Sequence, residues 1–143
     1  MPSTRPLPIL VNTGDTLQRM PRYADALPSY DQALATAEQV LEPRLSCQAN
    51  IGVGSTYCRL QNFKKARVFL RKAAYEAEKQ GLEYEHCSAL LHLGILNINE
   101  VSYKEALDIL TKAVTKLEEI GARRELLKGY LHLAFLCLKT KRW

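Results

Sequence analysis

The chain has 143 residues, 47% hydrophobic and 24% charged, which suits one folded domain and excludes a disordered chain. Six Pro, seven Gly and no apolar run near the ~20 residues of a bilayer span exclude collagen-like, mucin-like and membrane-spanning classes. The net charge of +5 is confined to one end. Residues 1–120 hold 14 Lys+Arg and 14 Asp+Glu, and the excess comes from Arg123, Arg124, Lys128, Lys139, Lys141 and Arg142 against Glu125 alone. A nucleic-acid binder would run a basic stripe along a face, so that class ranks low. No basic segment followed by an apolar stretch and a cleavage site opens the chain. Cys47, Cys58, Cys87 and Cys137 form no C-x-x-C pair. Embedded in apolar text, they read as small hydrophobes in a reducing, cytoplasmic setting.

Aligned on itself, the sequence repeats every 40 residues. Gly14, Gly54 and Gly94 share a column that ends in Ala134, and Tyr23, Phe63, Tyr103 and Trp143 share another. Ala26, Ala66 and Ala106 form a third column, and Ala33, Ala73 and Ala113 a fourth. In chain order, Pro43 punctuates the first unit and Gly81 ends the second. In the third, Glu83–Asn99 is apolar nearly all round, which predicts a well-covered helix. A break at Glu100–Ser102 follows. Tyr103, Ala106, Leu110, Ala113, Leu117 and Ile120 then step by three and four, a helical stripe that Gly121 stops. A last helix is predicted over Arg124–Lys141. Each unit is thus an A helix followed by a B helix, with the small residues placed where helices cross closely. Pro28 falls inside the first B helix, tolerable if that helix starts near Arg22–Asp25.

These residues resemble the tetratricopeptide repeat family. Val53-Gly54, Tyr57, Phe63, Ala66, Leu70 and Ala73 fit its pattern, as do Leu93-Gly94, Tyr103, Ala106, Leu110 and Ala113. The first unit is weaker in its A helix (Thr13-Gly14, Leu17), Asn97 replaces a usual Tyr, and the proline usual after helix B is missing. The period exceeds the family's usual ~34 residues, with the additional ones assigned to the B-to-A turn. That is similar to the long-repeat branch that includes rapsyn and the G-protein-signalling modulators with Pins-like repeats. The resemblance implies an all-α fold, a right-handed α-solenoid of about 3.5 repeats. One domain over 1–143 would comprise units at about 7–42, 44–81, 83–121 and a half unit at 123–143.

The resemblance also implies a concave groove lined by A helices. Its matched columns give Asn12 and Asp15, then Gln48, Ile51, Ser55 and Cys58. They continue with Leu91, His92, Ile95 and Ile98, and end with Lys128, Leu131, His132 and Phe135. A carboxylate clamp for chaperone tails is disfavoured, because Val11, Gly52, Ser88 and His92 occupy clamp positions. A partly apolar partner segment, extended or helical, fits better. His92 and His132 share a column; two partly buried histidines are preferred there over a pH-sensitive pair, and a metal site lacks a third ligand. Lys64, Lys65, Arg67, Arg71 and Lys72 read as a solvated face. No phosphate loop, nucleophile elbow or H-E-x-x-H motif occurs, so neither an enzyme nor a cofactor is expected. The leading expectation is a scaffold or adaptor that binds a protein segment. The alternatives are a structural or oligomerisation segment and a basic nucleic-acid or acidic-surface binder. The last helix carries an apolar face with no partner helix, from which a fragment or short isoform of a longer array, and self-association, are expected.

Overall fold

The computed structural model describes residues 23–39 and 41–140. Within them six helices follow one another and no strand occurs: α1 (Tyr23–Gln39), α2 (Pro43–Arg59), α3 (Phe63–Lys79), α4 (Glu83–Asn99), α5 (Tyr103–Ile120) and α6 (Arg123–Thr140). On the forty-residue register, α2, α4 and α6 are A helices and α1, α3 and α5 are B helices. Asn12, Gly14, Asp15 and Trp143 lie outside the described residues.

The long period has a different origin from the one expected. Helices α2, α3 and α4 each have 17 residues, and only three residues separate each from the next. The additional residues lengthen the helices and do not enlarge the B-to-A turn. Every turn closes in the same way. A residue in the left-handed region follows each of α1 to α5: Leu41, Gln61, Gly81, Val101 and Gly121. The amide after it donates back to the carbonyl five residues earlier, as in Asn62→Tyr57 at 2.8 Å and Ser102→Asn97 at 2.8 Å. The left-handed residue itself donates three residues back, as in Val101→Ile98 at 2.9 Å. This is the Schellman closure, which satisfies carbonyls that a helix end otherwise leaves unpaired.

Proline serves two purposes. Pro43 opens α2 at a position where no amide is needed. Pro28 sits inside α1, which starts at Tyr23 and continues through it. It lies beyond the first turn, so α1 lacks the amide that residue 28 would otherwise donate.

Each helix packs on the next in sequence. The A helices also touch one another, α2 on α4 and α4 on α6, whereas no two B helices approach to packing distance. Helix pairs in contact along one edge and apart along the other must curve, and the A helices therefore form the inner face of an all-α solenoid. The core repeats with the same period. Tyr30, Leu70 and Leu110 occupy one column and are fully buried. A Cβ on Gly94 would lie 2.6 Å from the Leu110 side chain, and one on Gly54 2.6 Å from Leu70 and 3.2 Å from the Ala66 carbonyl. The close crossing expected between Gly94 and Ala106 is thus a leucine seated on a bare backbone, with Ala106 buried beside it.

Candidate functional site

Side chains that point inward from α2, α4 and α6 define one surface. Near its middle His92 is half-buried, and Arg59 from α2 and Lys128 and His132 from α6 lie close enough to act on it electrostatically. Burial pushes the His92 imidazole down to about 4; the hydrogen bond to the Ser88 carbonyl opposes this, and the neighbouring cations add to it. His92 Nδ1 lies 2.8 Å from that carbonyl, and His132 Nδ1 2.7 Å from the Lys128 carbonyl. A carbonyl only accepts, so Nδ1 of each ring donates and the neutral ring keeps Nε2 as an acceptor. The two histidines share a column and a geometry: each binds its own helix four residues back.

The expected groove residues separate into two groups. Lys128, Leu131 and Phe135 are exposed, and His92, Ile95, Ile98 and His132 are partly so. Leu91, by contrast, is completely buried in a cluster with Ala106, Leu110 and Leu136. Ile51 and Cys58 belong to the core between α2 and α4. Ser55 is buried, and its hydroxyl donates to the Gly52 carbonyl at 3.3 Å. Leu91, Ile51, Cys58 and Ser55 are therefore corrected from groove lining to core. The helix columns crowd against one another on this side, and a column alone does not distinguish a side chain facing a partner from one facing the next helix.

Gln48 has a different task. Its amide donates to Glu85 Oε2 at 3.4 Å, and Arg44 Nη1 reaches Glu85 Oε1 at 2.9 Å. The Glu85 side chain is only 3% exposed, so both partners are needed to offset its desolvation. One repeat later, the Tyr84 hydroxyl donates to Glu125 in the equivalent register. Asn99 Nδ2 joins Cys58 Sγ at 3.1 Å near the other end of α2 and α4. These links clamp neighbouring A helices together. Glu85 had no sequence signal, since its burial depends on how α2 and α4 meet.

Opposite the inner face, a cavity of about 610 Å³ opens between α3 and α5, lined by Tyr75, Leu82, His86, Leu90, Lys112 and Lys116 among others. It exists because the B helices do not touch. His86 Nδ1 is buried there with no hydrogen-bond partner. The basic run opening α3 is partly neutralised: Arg67 pairs with Glu100, Lys65 lies 5.4 Å from the Tyr57 ring centre, and Lys72 stands 3.9 Å from Glu38.

Among the described residues no group of three or more His, Cys, Asp or Glu is placed to hold a metal ion, and no helix is long and apolar enough to cross a membrane. A family model described as "Tetratricopeptide repeat" matches residues 7–74. The repeats are tetratricopeptide-like. The matched stretch ends in α3, and the same helix-pair geometry continues through α4 and α5 into α6. No curated protein matches the chain significantly. Tetratricopeptide repeats are in general protein-interaction modules and a non-catalytic scaffold.

Proposed function

We propose that this chain is a scaffold or adaptor whose A-helix face holds a segment of a partner protein. The observation that carries this reading is the direct contact of α2 with α4 and of α4 with α6. It makes one continuous inner surface on which Ile95, His92, His132 and Phe135 remain accessible in part or in full. Aliphatic and aromatic anchors beside imidazole and ammonium groups suit a segment that is partly apolar. We read the chain as one repeat domain with units at 7–42, 44–81, 83–121 and 123–143, built like the long-repeat branch of rapsyn and the Pins-like modulators. Its free cysteines, three of them buried, favour a reducing, cytoplasmic setting.

The test compares proteins captured from lysate by the native chain, by Ile95→Glu and Phe135→Glu, and by Tyr75→Ala on the outer side. Partners lost with the two inner-face variants and kept by Tyr75→Ala support the groove. Partners kept by all three defeat it. A second reading, that the chain stacks on another repeat unit or a second copy, draws on one observation: Leu127, Leu131 and Leu138 stand exposed on α6.

A further inference from the structure

Helix α6 presents a stripe that its own repeat pattern marks as an interface. Leu127, Leu131 and Leu138 are 61%, 60% and 62% exposed; with Ala134 they are spaced by four, three and four, a straight seam on one side of a helix. Tyr130 and Phe135 flank the seam and are exposed as well. One repeat earlier the equivalent positions are Cys87, Leu91, Gly94 and Ile98. The first three are buried and Ile98 is half-buried, because α5 and α6 cover that side of α4. No described residue covers the same side of α6.

Two further observations identify the occupant. Arg123, Arg124, Lys128 and Lys139 all lie on α6, all are exposed, and none has a carboxylate partner among the described residues. Lys139 rests against the Phe135 ring at 5.6 Å. The single carboxylate of α6, Glu125, is already bound by Tyr84. A second copy would bring an identical set of cations within a Debye length of the first, ~10 Å at ordinary salt, with no anions between them. The other observation is steric. At Gly94 the backbone receives Leu110, where a Cβ would lie 2.6 Å from that side chain. Ala134 carries this Cβ, so a leucine in the place of Leu110 would have to shift before it could pack on α6, and a small residue fits there better.

We propose that the outer stripe of α6 docks an acidic amphipathic helix of another protein. The partner helix presents leucines to Leu127, Leu131 and Leu138, a small residue opposite Ala134, and Glu or Asp on both flanks toward Arg123, Arg124, Lys128 and Lys139. This surface adjoins the proposed groove at Lys128 and Phe135 but faces away from His92 and the α2–α4 contact. It does not depend on that groove being occupied.

The test uses the full chain and two labelled helical peptides followed by fluorescence anisotropy. Both carry the same leucine seam with a central Ala; one has Glu on its flanks and its twin has Lys. The Glu peptide is expected to bind saturably, and the Lys twin at least about tenfold more weakly. Raising NaCl from about 50 mM to about 300 mM should weaken the Glu peptide several-fold. Leu127→Glu, Leu138→Glu and the pair Lys128→Glu/Lys139→Glu should each remove its binding. These side chains are exposed, so unchanged circular dichroism will show that the variants still fold. Ile95→Glu, in the groove, should leave peptide binding intact, which keeps failure here distinct from failure of the groove. Equal binding of the two peptides, or no binding of the Glu peptide, overturns the proposal. So does a salt-resistant dimer of the chain alone that Leu127→Glu abolishes, which would make a second copy the occupant.

Discussion

His92, half-buried on the inner face, should make the protein sensitive to acid. Its folded-state pKa of about 4 lies below the ordinary value near 6.5. Between those values the unfolded chain takes up a proton that the folded chain refuses, so stability falls as the pH drops. The loss between pH 7 and pH 5 should be about 2 kcal/mol from this group alone. Denaturant unfolding of native protein and His92→Gln at both pH values checks it: the native chain should lose more, by about that amount. An identical loss in both would place the sensitivity elsewhere. The close-packed glycines make a second test at this scale. Alanine in mid-helix normally gains ~1 kcal/mol over glycine through propensity. At Gly94 the new methyl would meet Leu110 at 2.6 Å, and at Gly54 it would also meet the Ala66 carbonyl at 3.2 Å. A side chain can shift where a helix backbone cannot. Both substitutions should therefore destabilise by roughly 1–3 kcal/mol, with Gly54→Ala the worse of the two in urea melts.

Helices and turns carry their own accounting. Helices α1 to α5 are each closed by a left-handed residue, yet only Gly81 and Gly121 suit that conformation without strain. Val101, at φ +61°, is the least suited, because a β-branched side chain crowds the backbone there. Val101→Gly removes that strain and keeps the backbone bonds of Val101 and Ser102 to α4. It should raise stability by about 0.5–1 kcal/mol, or about 2–4 °C in a thermal melt. An unchanged or lower midpoint would mean that the Val101 side chain contributes contacts that its 67% exposure does not show. The same turns mark where the sequence was legible and where it was not. Helix bounds such as Glu83–Asn99 followed from periodicity, and the Gly121 stop from glycine's tolerance of positive φ. The closures at Gln61 and Val101 gave no composition signal, since the packing of A on B imposes the conformation on residues that do not prefer it. The forty-residue period was legible, whereas its cause was not: helices of 17 residues with three-residue turns read, in sequence, much like shorter helices with a longer turn. Groove residues were legible only by column, and Leu91 shows the limit, because it packs with Leu136 of the next A helix whereas Leu131 in the same column is exposed.

At the scale of the molecule, contacts among the described helices join only neighbours: each helix touches the next, each A helix the next A helix, and none of them reaches further. Such a stack is stable as a sum of units and the interfaces between them, so damage at one end need not unfold the other. Tyr30 provides the test. It is completely buried and packs with Ala26 and Val53 against α2, its ring filling the space that a Cβ on Gly52 would otherwise occupy. Tyr30→Ala should cost roughly 3–5 kcal/mol of local stability, but the cluster it disrupts is confined to α1, α2 and Phe69 of α3. The second core, with Leu91, Ala106, Leu110 and Leu136, shares no residue with the Tyr30 cluster. Hydrogen exchange should therefore show protection lost first in α1 and α2, partly in α3, and retained in α4 and α5. A uniform loss along all six helices would instead mean that the stack unfolds as one cooperative body. In that case the clamps from Arg44 to Glu85 and from Tyr84 to Glu125, which tie α2 to α4 and α4 to α6, would be strong enough to couple the two ends. Repeating the exchange with Glu85→Gln in the Tyr30→Ala background decides between these cases: loosening that clamp restores independent ends only if the clamp was what joined them.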